Sequence, residues 1–187
     1  APAPAPAPAP VPAPAPAPEP KRGGILKVRY NKAPVNIGYP VEIVGACHHY
    51  VANVGLERLL KPGEGGTIEP LLATSWELAP DKSSYTFHLR KGVKFHDGTD
   101  FDAQAVKYNL DIVLASPLPI LIGVESVDVI DDYTVRLNVS QWTNLILQDL
   151  ANDRTCLIVS PTALEEHDKE WAKTHPVGTG PFKIKSF

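Results

Sequence analysis

The sequence predicts an α+β (mixed α/β) fold, antiparallel hairpins packed by helices, behind a stalk that cannot join the core. Three observations carry this. Two stretches alternate apolar and polar residues on either side of turn residues; between them an apolar pattern of helical period follows a capping residue; and residues 1–20 read APAPAPAPAPVPAPAPAPEP. Period two argues for half-buried strands and period 3.6 for helix.

In chain order, the stalk comes first. Proline at alternate positions removes ladder donors and blocks helix, leaving a semi-rigid polyproline II spacer on the order of 60 Å long. In GGILKVRY, Leu26, Val28 and Tyr30 alternate with Lys27 and Arg29, which predicts a strand. Two prolines and a glycine make 31–40 a loop. Cys47, Val51 and Val54 then recur at helical spacing and Leu59 and Leu60 precede Lys61-Pro62-Gly63, which predicts a helix from Val44 to Leu60.

The first hairpin pairs Trp76 and Leu78 with Tyr85, Phe87 and Leu89 across a turn at Pro80 to Ser83. The second pairs Val127 and Val129 with Val135, Leu137 and Val139 across Asp131-Asp132. Both suit an antiparallel sheet with one wet face. Between them Asp97-Gly98 is a turn dipeptide, Asp102 stands at an N-cap, and Val106, Leu110 and Val113 form a helical stripe that Ser116-Pro117 ends. A last helix starts at Ser160-Pro161, a capping residue followed by proline at the first helical position.

Charge and motifs exclude several functions. Lys and Arg number 18 against 21 Asp and Glu, a net charge of −3, and no basic run interleaves with aromatics, so a nucleic-acid partner is not expected. The apolar run Leu118 to Val124 is far shorter than the roughly 20 residues that cross a bilayer. His96 beside Asp97 invites a catalytic reading, but neighbours on an extended chain point to opposite faces, and no nucleophile or oxyanion pocket accompanies them. In GTGPF, Lys183 stands where a dinucleotide fingerprint needs its third glycine. The acids and histidine of EEHDKE spread around a helix and read as a solvated face. In ACHHYV, Cys47, His48 and His49 carry ligand atoms, yet a Cys at i and a His at i+1 or i+2 do not share a helix face, so metal binding there would need a distorted or frayed first turn; no preorganised metal site is expected, and no cofactor. Cys47 and Cys156 are too few for a disulfide framework, and two buried free thiols are the reading here.

The motifs GGILKVRY, IEPLLATSWELAPDKSSYTFHLRKGVKFHDGTDFDAQAVKY, VDVIDDYTVRLNV, IVSPTAL and PVGTGPFKI occur together in one order. In that order and spacing the chain resembles the family 5 extracytoplasmic solute-binding proteins of ABC importers, the peptide, dipeptide and nickel-type binders, from Gly23 to Phe187. The resemblance implies the N-terminal part of a two-lobe, periplasmic binding protein type II-like fold. Residues 1–22 would be the stalk or linker, 23–45 the start of the first lobe, 46–172 a subdomain of it, and 173–187 the return strand, the second lobe being absent. It also implies a monomeric, non-enzymatic protein outside the cytoplasm that captures a small solute, a peptide by first choice and a nickel or metal chelate as the alternative, and delivers it to an ABC permease. A non-transport interaction module is the other class that remains.

Localisation follows the same resemblance. A chain that begins at Ala1 and contains no Met is expected of a mature product whose signal peptide has been removed. The stalk would then be a tether to a membrane, as in a lipoprotein. The resemblance places the cleft wall at Tyr39, at His48, His49 and Tyr50, and in the segment 152–155. Arg154 is the leading candidate there, since a guanidinium can clamp a ligand carboxylate through two parallel hydrogen bonds. An ion pair with Asp153 competes for the same group. Trp142 could stack on a ligand, but a tryptophan after a strand more often packs in the core.

Overall fold

A computed structural model of the chain describes residues 23–25, 27, 29, 34–43 and 50–185. The stalk, Cys47, His48 and His49 lie outside these residues. Two antiparallel sheets and four α-helices make up the described body. Strands β1 (Leu60–Pro62) and β2 (Ile68–Pro70) form a small hairpin. Strands β3 (Ala73–Leu78), β4 (Ser84–Leu89), β5 (Val124–Asp131) and β6 (Thr134–Val139) form the main sheet in the order β3-β4-β6-β5. Helices α1 (Ala103–Ala115), α2 (Leu145–Asn152), α3 (Pro161–Glu166) and α4 (Lys169–Thr174) complete it.

Both expected hairpins form, and they join through β4 and β6. Phe87 stands between Trp76 and Val135, and Tyr85 between Leu78 and Leu137. One face therefore carries Tyr85, Phe87, Val127, Val135 and Leu137 into the core, while Thr86, Arg136 and Asn138 face outward. The turns use the chemistry read from the sequence. Asp81 accepts from the Ser83 amide at 3.0 Å, with Lys82 in the left-handed region at φ 61°, and Asp131 accepts from the Tyr133 amide at 2.8 Å.

Helix α1 begins where its cap predicts. The Asp102 carboxylate accepts from the Ala105 amide at 2.8 Å, Ser116 closes the other end, and Val106, Leu110 and Val113 are buried against the sheet. Helix α3 likewise starts behind Ser160, whose hydroxyl accepts from the Ala163 amide at 3.2 Å. Helix α4, capped by Asp168 through the Trp171 amide at 2.8 Å, continues the charge-rich EEHDKE stretch, whose residues are exposed.

One expectation needs correction. The helix proposed for 44–60 does not run to its end: residues 50–52 are helical, 53–55 turn, and Leu60 opens β1. Tertiary ladders capture the segment instead. Glu57 bridges to Ile158, and the Arg58 and Leu59 carbonyls accept from the Leu72 and Ala73 amides at 3.2 and 2.9 Å. Of the strand expected at GGILKVRY, Leu26, Val28 and Tyr30 lie outside the described residues, and Ile25, Lys27 and Arg29 are exposed.

The core has two parts. The larger lies between the main sheet, α1 and α2, around Phe87, Phe101, Leu110, Leu137 and Ile146. The smaller joins Ile37, Ile43, Ala52 and Leu56 to Leu157 and Val159. Cys156 is buried and free, and burial pushes its thiol far above the usual range, which makes it inert at neutral pH. Among the described residues no helix is long and apolar enough to cross a membrane.

Candidate functional site: the turn pair at Tyr39 and Arg154

Asn36 sets the backbone that carries Tyr39. Its buried side-chain oxygen accepts from the Gly38 and Tyr39 amides at 3.2 and 3.0 Å, and its amide donates to the Tyr39 carbonyl at 3.1 Å. Pro40 then opens a 3-10 turn, Pro40–Glu42, for which a fixed φ and a missing N–H are no loss. Helix α4 holds this turn from behind. The Ile37 amide donates to the Lys173 carbonyl at 2.8 Å, and Glu42 pairs with Lys173 at 2.8 Å and Lys169 at 3.2 Å. Hydrogen bonds from those two ammonium groups hold the Glu42 carboxyl below its usual range. A β-carbon on Gly38 would lie 2.0 Å from the Ala172 carbonyl oxygen, so only glycine allows the approach.

The second turn, Arg154–Cys156, is built by its predecessor. One Asp153 carboxylate oxygen accepts from the Thr155 amide and hydroxyl, both at 2.8 Å, and the Asp153 carbonyl accepts from Arg58 Nε at 2.9 Å. That oxygen of Asp153 thus shapes the turn, while the Arg154 side chain lies outside the described residues. The Arg58 guanidinium is buried, and desolvation lowers its pKa from the ordinary arginine value.

These two turns pack against each other. Tyr39, Pro40, Thr155 and Leu157 line a cavity of ≈ 10 Å³ with Asn109 and Leu164, too small for any ligand beyond a single water. Asn109 ties the segment after the second turn to α1: its amide donates to the Val159 carbonyl at 2.8 Å and its oxygen accepts from the Val159 amide at 3.0 Å. Sequence reasoning missed Asn36 and Asn109. The available signal was an Asn within the apolar stripe of α1, next to Leu110.

The structure therefore brings Tyr39 to the Arg154 segment. Tyr39 is half-buried at the mouth of the turn pair. Tyr50 opens the helical residues 50–52 and is exposed, just ahead of Val51 and Ala52, which pack on the smaller core cluster. His48 and His49 lie outside the described residues. Among the described residues no group of three or more His, Cys, Asp or Glu side chains is placed to hold a metal ion. Trp142 sits elsewhere: its indole N–H donates to the Tyr85 hydroxyl at 2.9 Å and Lys82 lies 4.3 Å from its ring centre.

His96 and Asp97 have a mechanical role that was not foreseen. The imidazole Nε2–H donates to the Gly180 carbonyl at 2.8 Å, the His96 amide donates to the Gly178 carbonyl at 2.8 Å, and Lys183 donates to the His96 carbonyl at 2.6 Å. Asp97 accepts from the Thr99 amide and hydroxyl and from the Ser160 hydroxyl. The carboxylate bonds the serine directly, with no imidazole between them, so the trio is a clamp and not a relay. It holds the GTG loop, whose Gly180 amide donates to the Gly55 carbonyl at 3.0 Å, against the HDGT turn and the turn at Gly55.

Comparison with known proteins agrees with this architecture. Residues 67–187 match the family described as bacterial extracellular solute-binding proteins, family 5 Middle. The chain is 37% identical over 143 residues to the glutathione-binding protein GsiB of Shigella flexneri, a match covering 74% of this chain and 26% of that protein. Among solved structures it resembles NikA from Brucella suis in complex with Fe(III)-EDTA, at 33% identity and a TM-score of 0.69 over 83% of this chain and 32% of that one. It also resembles the periplasmic binding protein DppA from Helicobacter pylori in complex with the peptide STSA, at 29% identity and a TM-score of 0.68 over 80% and 34%. The chain thus spans about a quarter of the length of the curated relatives it matches.

Proposed function

Because the chain belongs to the family 5 bacterial extracellular solute-binding proteins, we propose that it supplies one wall of the ligand cleft in the substrate-binding component of an ABC importer. That protein captures a small peptide outside the cytoplasm and delivers it to a membrane permease. The observation that carries the peptide reading is the similarity to a glutathione-binding protein. The likeness to a peptide-bound DppA supports it. The likeness to NikA with Fe(III)-EDTA favours a metal chelate as the second reading. Glutathione, a peptide and an EDTA chelate all present carboxylates, which is the group a guanidinium at Arg154 would clamp.

In this reading Tyr39, Tyr50 and Arg154, with His48 and His49, form the wall. Segments 23–45 and 173–187 belong to one lobe, and 46–172 is a subdomain inserted between them. The backbone bond from Ile37 to Lys173 supports that division, since the chain enters and leaves the body side by side. Residues 1–22 act as an extracytoplasmic spacer to a membrane anchor, and the protein works as a monomer.

A single wall encloses little of a ligand, and affinity in a cleft comes from removing apolar surface from water and drying the polar contacts. The chain alone should therefore bind glutathione more weakly than about 1 mM. The decisive test is a chimera in which the matched segment of this chain replaces its counterpart in the Shigella flexneri protein. Calorimetry should show glutathione binding that Arg154→Ala weakens by about tenfold or more, equivalent to roughly 1.4 kcal/mol. A folded chimera that binds neither glutathione nor other short peptides nor Fe(III)-EDTA would refute the proposal.

A further inference from the structure

We infer that helix α4 is a pH-sensitive brace for the Tyr39 turn, tightened when the two imidazoles stacked on Trp171 gain protons. The stack joins residues one helical turn apart. The His167 ring centre lies 3.9 Å from that of Trp171 with the planes 22° apart, and the His175 ring centre lies 4.4 Å from it at 5°. His167 precedes α4, Trp171 stands within it and His175 follows its last residue, so the stack runs the length of the helix. Trp171 is half-buried, whereas both histidines are exposed and open to protons from solvent.

The hydrogen bonds at the helix end accept a second proton without loss. A carbonyl only accepts, so His175 Nδ1 carries a proton and donates it to the Trp171 carbonyl at 2.9 Å, with Thr174 Oγ1 at 2.9 Å sharing it. The His175 amide reaches the Trp171 and Ala172 carbonyls at 3.1 and 3.2 Å. The added proton therefore goes to Nε2 and breaks none of these bonds. It sets a cation against indole, the aromatic face that attracts cations best, and at the carbonyl end of the helix. Protonated His167 adds a cation to the same ring from the preceding turn.

What α4 holds gives the stack its consequence. The Lys173 carbonyl takes the Ile37 amide, Ala172 packs against Gly38, and Lys169 and Lys173 pair with Glu42. A steadier α4 thus fixes the backbone on both sides of Tyr39. The charged groups around the stack are Glu165 and Glu166 of α3, Asp168, Lys169, Glu170 and Lys173 of α4 and its cap, and Glu42 of the turn. Carboxylates outnumber ammonium groups among them, which favours an added cation. Hydrogen bonds hold the Glu42 carboxyl below its usual range and push the Lys173 ammonium up, so their ion pair is intact from pH 7.5 to 5.5 while histidine gains its proton. The tightening is therefore present at the acid end and lost as pH rises. A pH-dependent grip on the solute rests on the cleft reading of Tyr39; the brace does not.

Amide hydrogen exchange of the full 187-residue chain, followed by NMR without ligand at pH 7.5 and 5.5 and corrected for intrinsic exchange rates, tests it. The Ile37 amide should gain about twofold to fivefold in protection at pH 5.5, the scale of an exposed cation–π contact. Amides of β4 and β6, in the larger core, report global unfolding and give the baseline. His167→Gln combined with His175→Asn, which keeps a donor for the Trp171 carbonyl, should abolish the gain. Trp171→Leu keeps both histidines, removes the indole face and should abolish it as well. No gain at Ile37, an equal gain in β4 and β6, or a gain that persists in either variant would overturn the brace. With no ligand present, that result leaves the cleft reading untouched, and failure of the cleft reading leaves the brace standing. The dispersion of each variant's spectrum reports its fold in the same experiment.

Discussion

Two aspartates respond to pH in opposite senses, and the cause is local. Partial burial pushes the Asp97 carboxyl up, but hydrogen bonds from the Ser160 hydroxyl and from the Thr99 hydroxyl and amide outweigh it and hold the group below its usual value. A depressed folded pKa means stability that is present above the unfolded value of about 3.9 and lost as pH falls through the folded one. The urea midpoint should therefore drop between pH 5 and pH 3 by less in Asp97→Asn than in the unaltered chain. For Asp149 burial dominates over the Leu121 amide at 2.9 Å and raises the pKa. Its contribution is present below the unfolded value and lost as pH rises through the folded one. Asp149→Asn, which keeps the acceptor for Leu121, should raise the midpoint at pH 7 and leave it nearly unchanged at pH 3. Asp102 acts through its cap alone, so Asp102→Ala should cost about 1 kcal/mol by urea denaturation.

At the scale of elements, the GTG loop, the turn around Gly55 and the HDGT turn form one joint, and close backbone approach is what makes it. A β-carbon on Gly178 would lie 2.3 Å from the Gly55 carbonyl oxygen and 2.5 Å from a Leu56 methyl. Backbone cannot yield as a flexible side chain can. Gly178→Ala should destabilise by about 1–3 kcal/mol in urea denaturation, the usual cost of overpacking. His96→Ala removes the bond to Gly180 and should cost about 1 kcal/mol. In the chimera it should leave glutathione affinity unchanged, whereas a large loss would return His96 to the binding site.

For the molecule as a whole, the two core clusters imply unequal local stability. The main sheet and α1 share a large continuous core, whereas segments 36–43 and 50–56 rest on the smaller cluster around Ile37 and Leu157. Hydrogen exchange should show β4, β6 and α1 opening only with global unfolding, and the Ile37, Ile43 and Leu56 amides exchanging by a lower-energy route. Ile25, Val35, Tyr50 and Phe182 are exposed apolar side chains on the segments that enter and leave this body. Such surface favours association, so sedimentation should show mass rising with concentration for the isolated chain.

Where a signal lies within a few residues, the sequence alone determined the outcome. The Asp131-Asp132 turn, the Asp81–Ser83 turn and the caps at Asp102 and Ser160 all form as the local chemistry dictates, because each is closed by bonds within its own neighbourhood. The family resemblance rested on the order of those same motifs. Tertiary structure decided the rest. Leu59 and Leu60 carry a helical pattern, but the backbone of this segment found ladder partners at Leu71 to Ala73, and a segment's choice between helix and sheet follows the partner that satisfies it. Nor could spacing show that Tyr39 meets the Arg154 turn, or that Asp97 holds Ser160, since these pairs are distant in the chain and are brought together only by packing on α1 and α4.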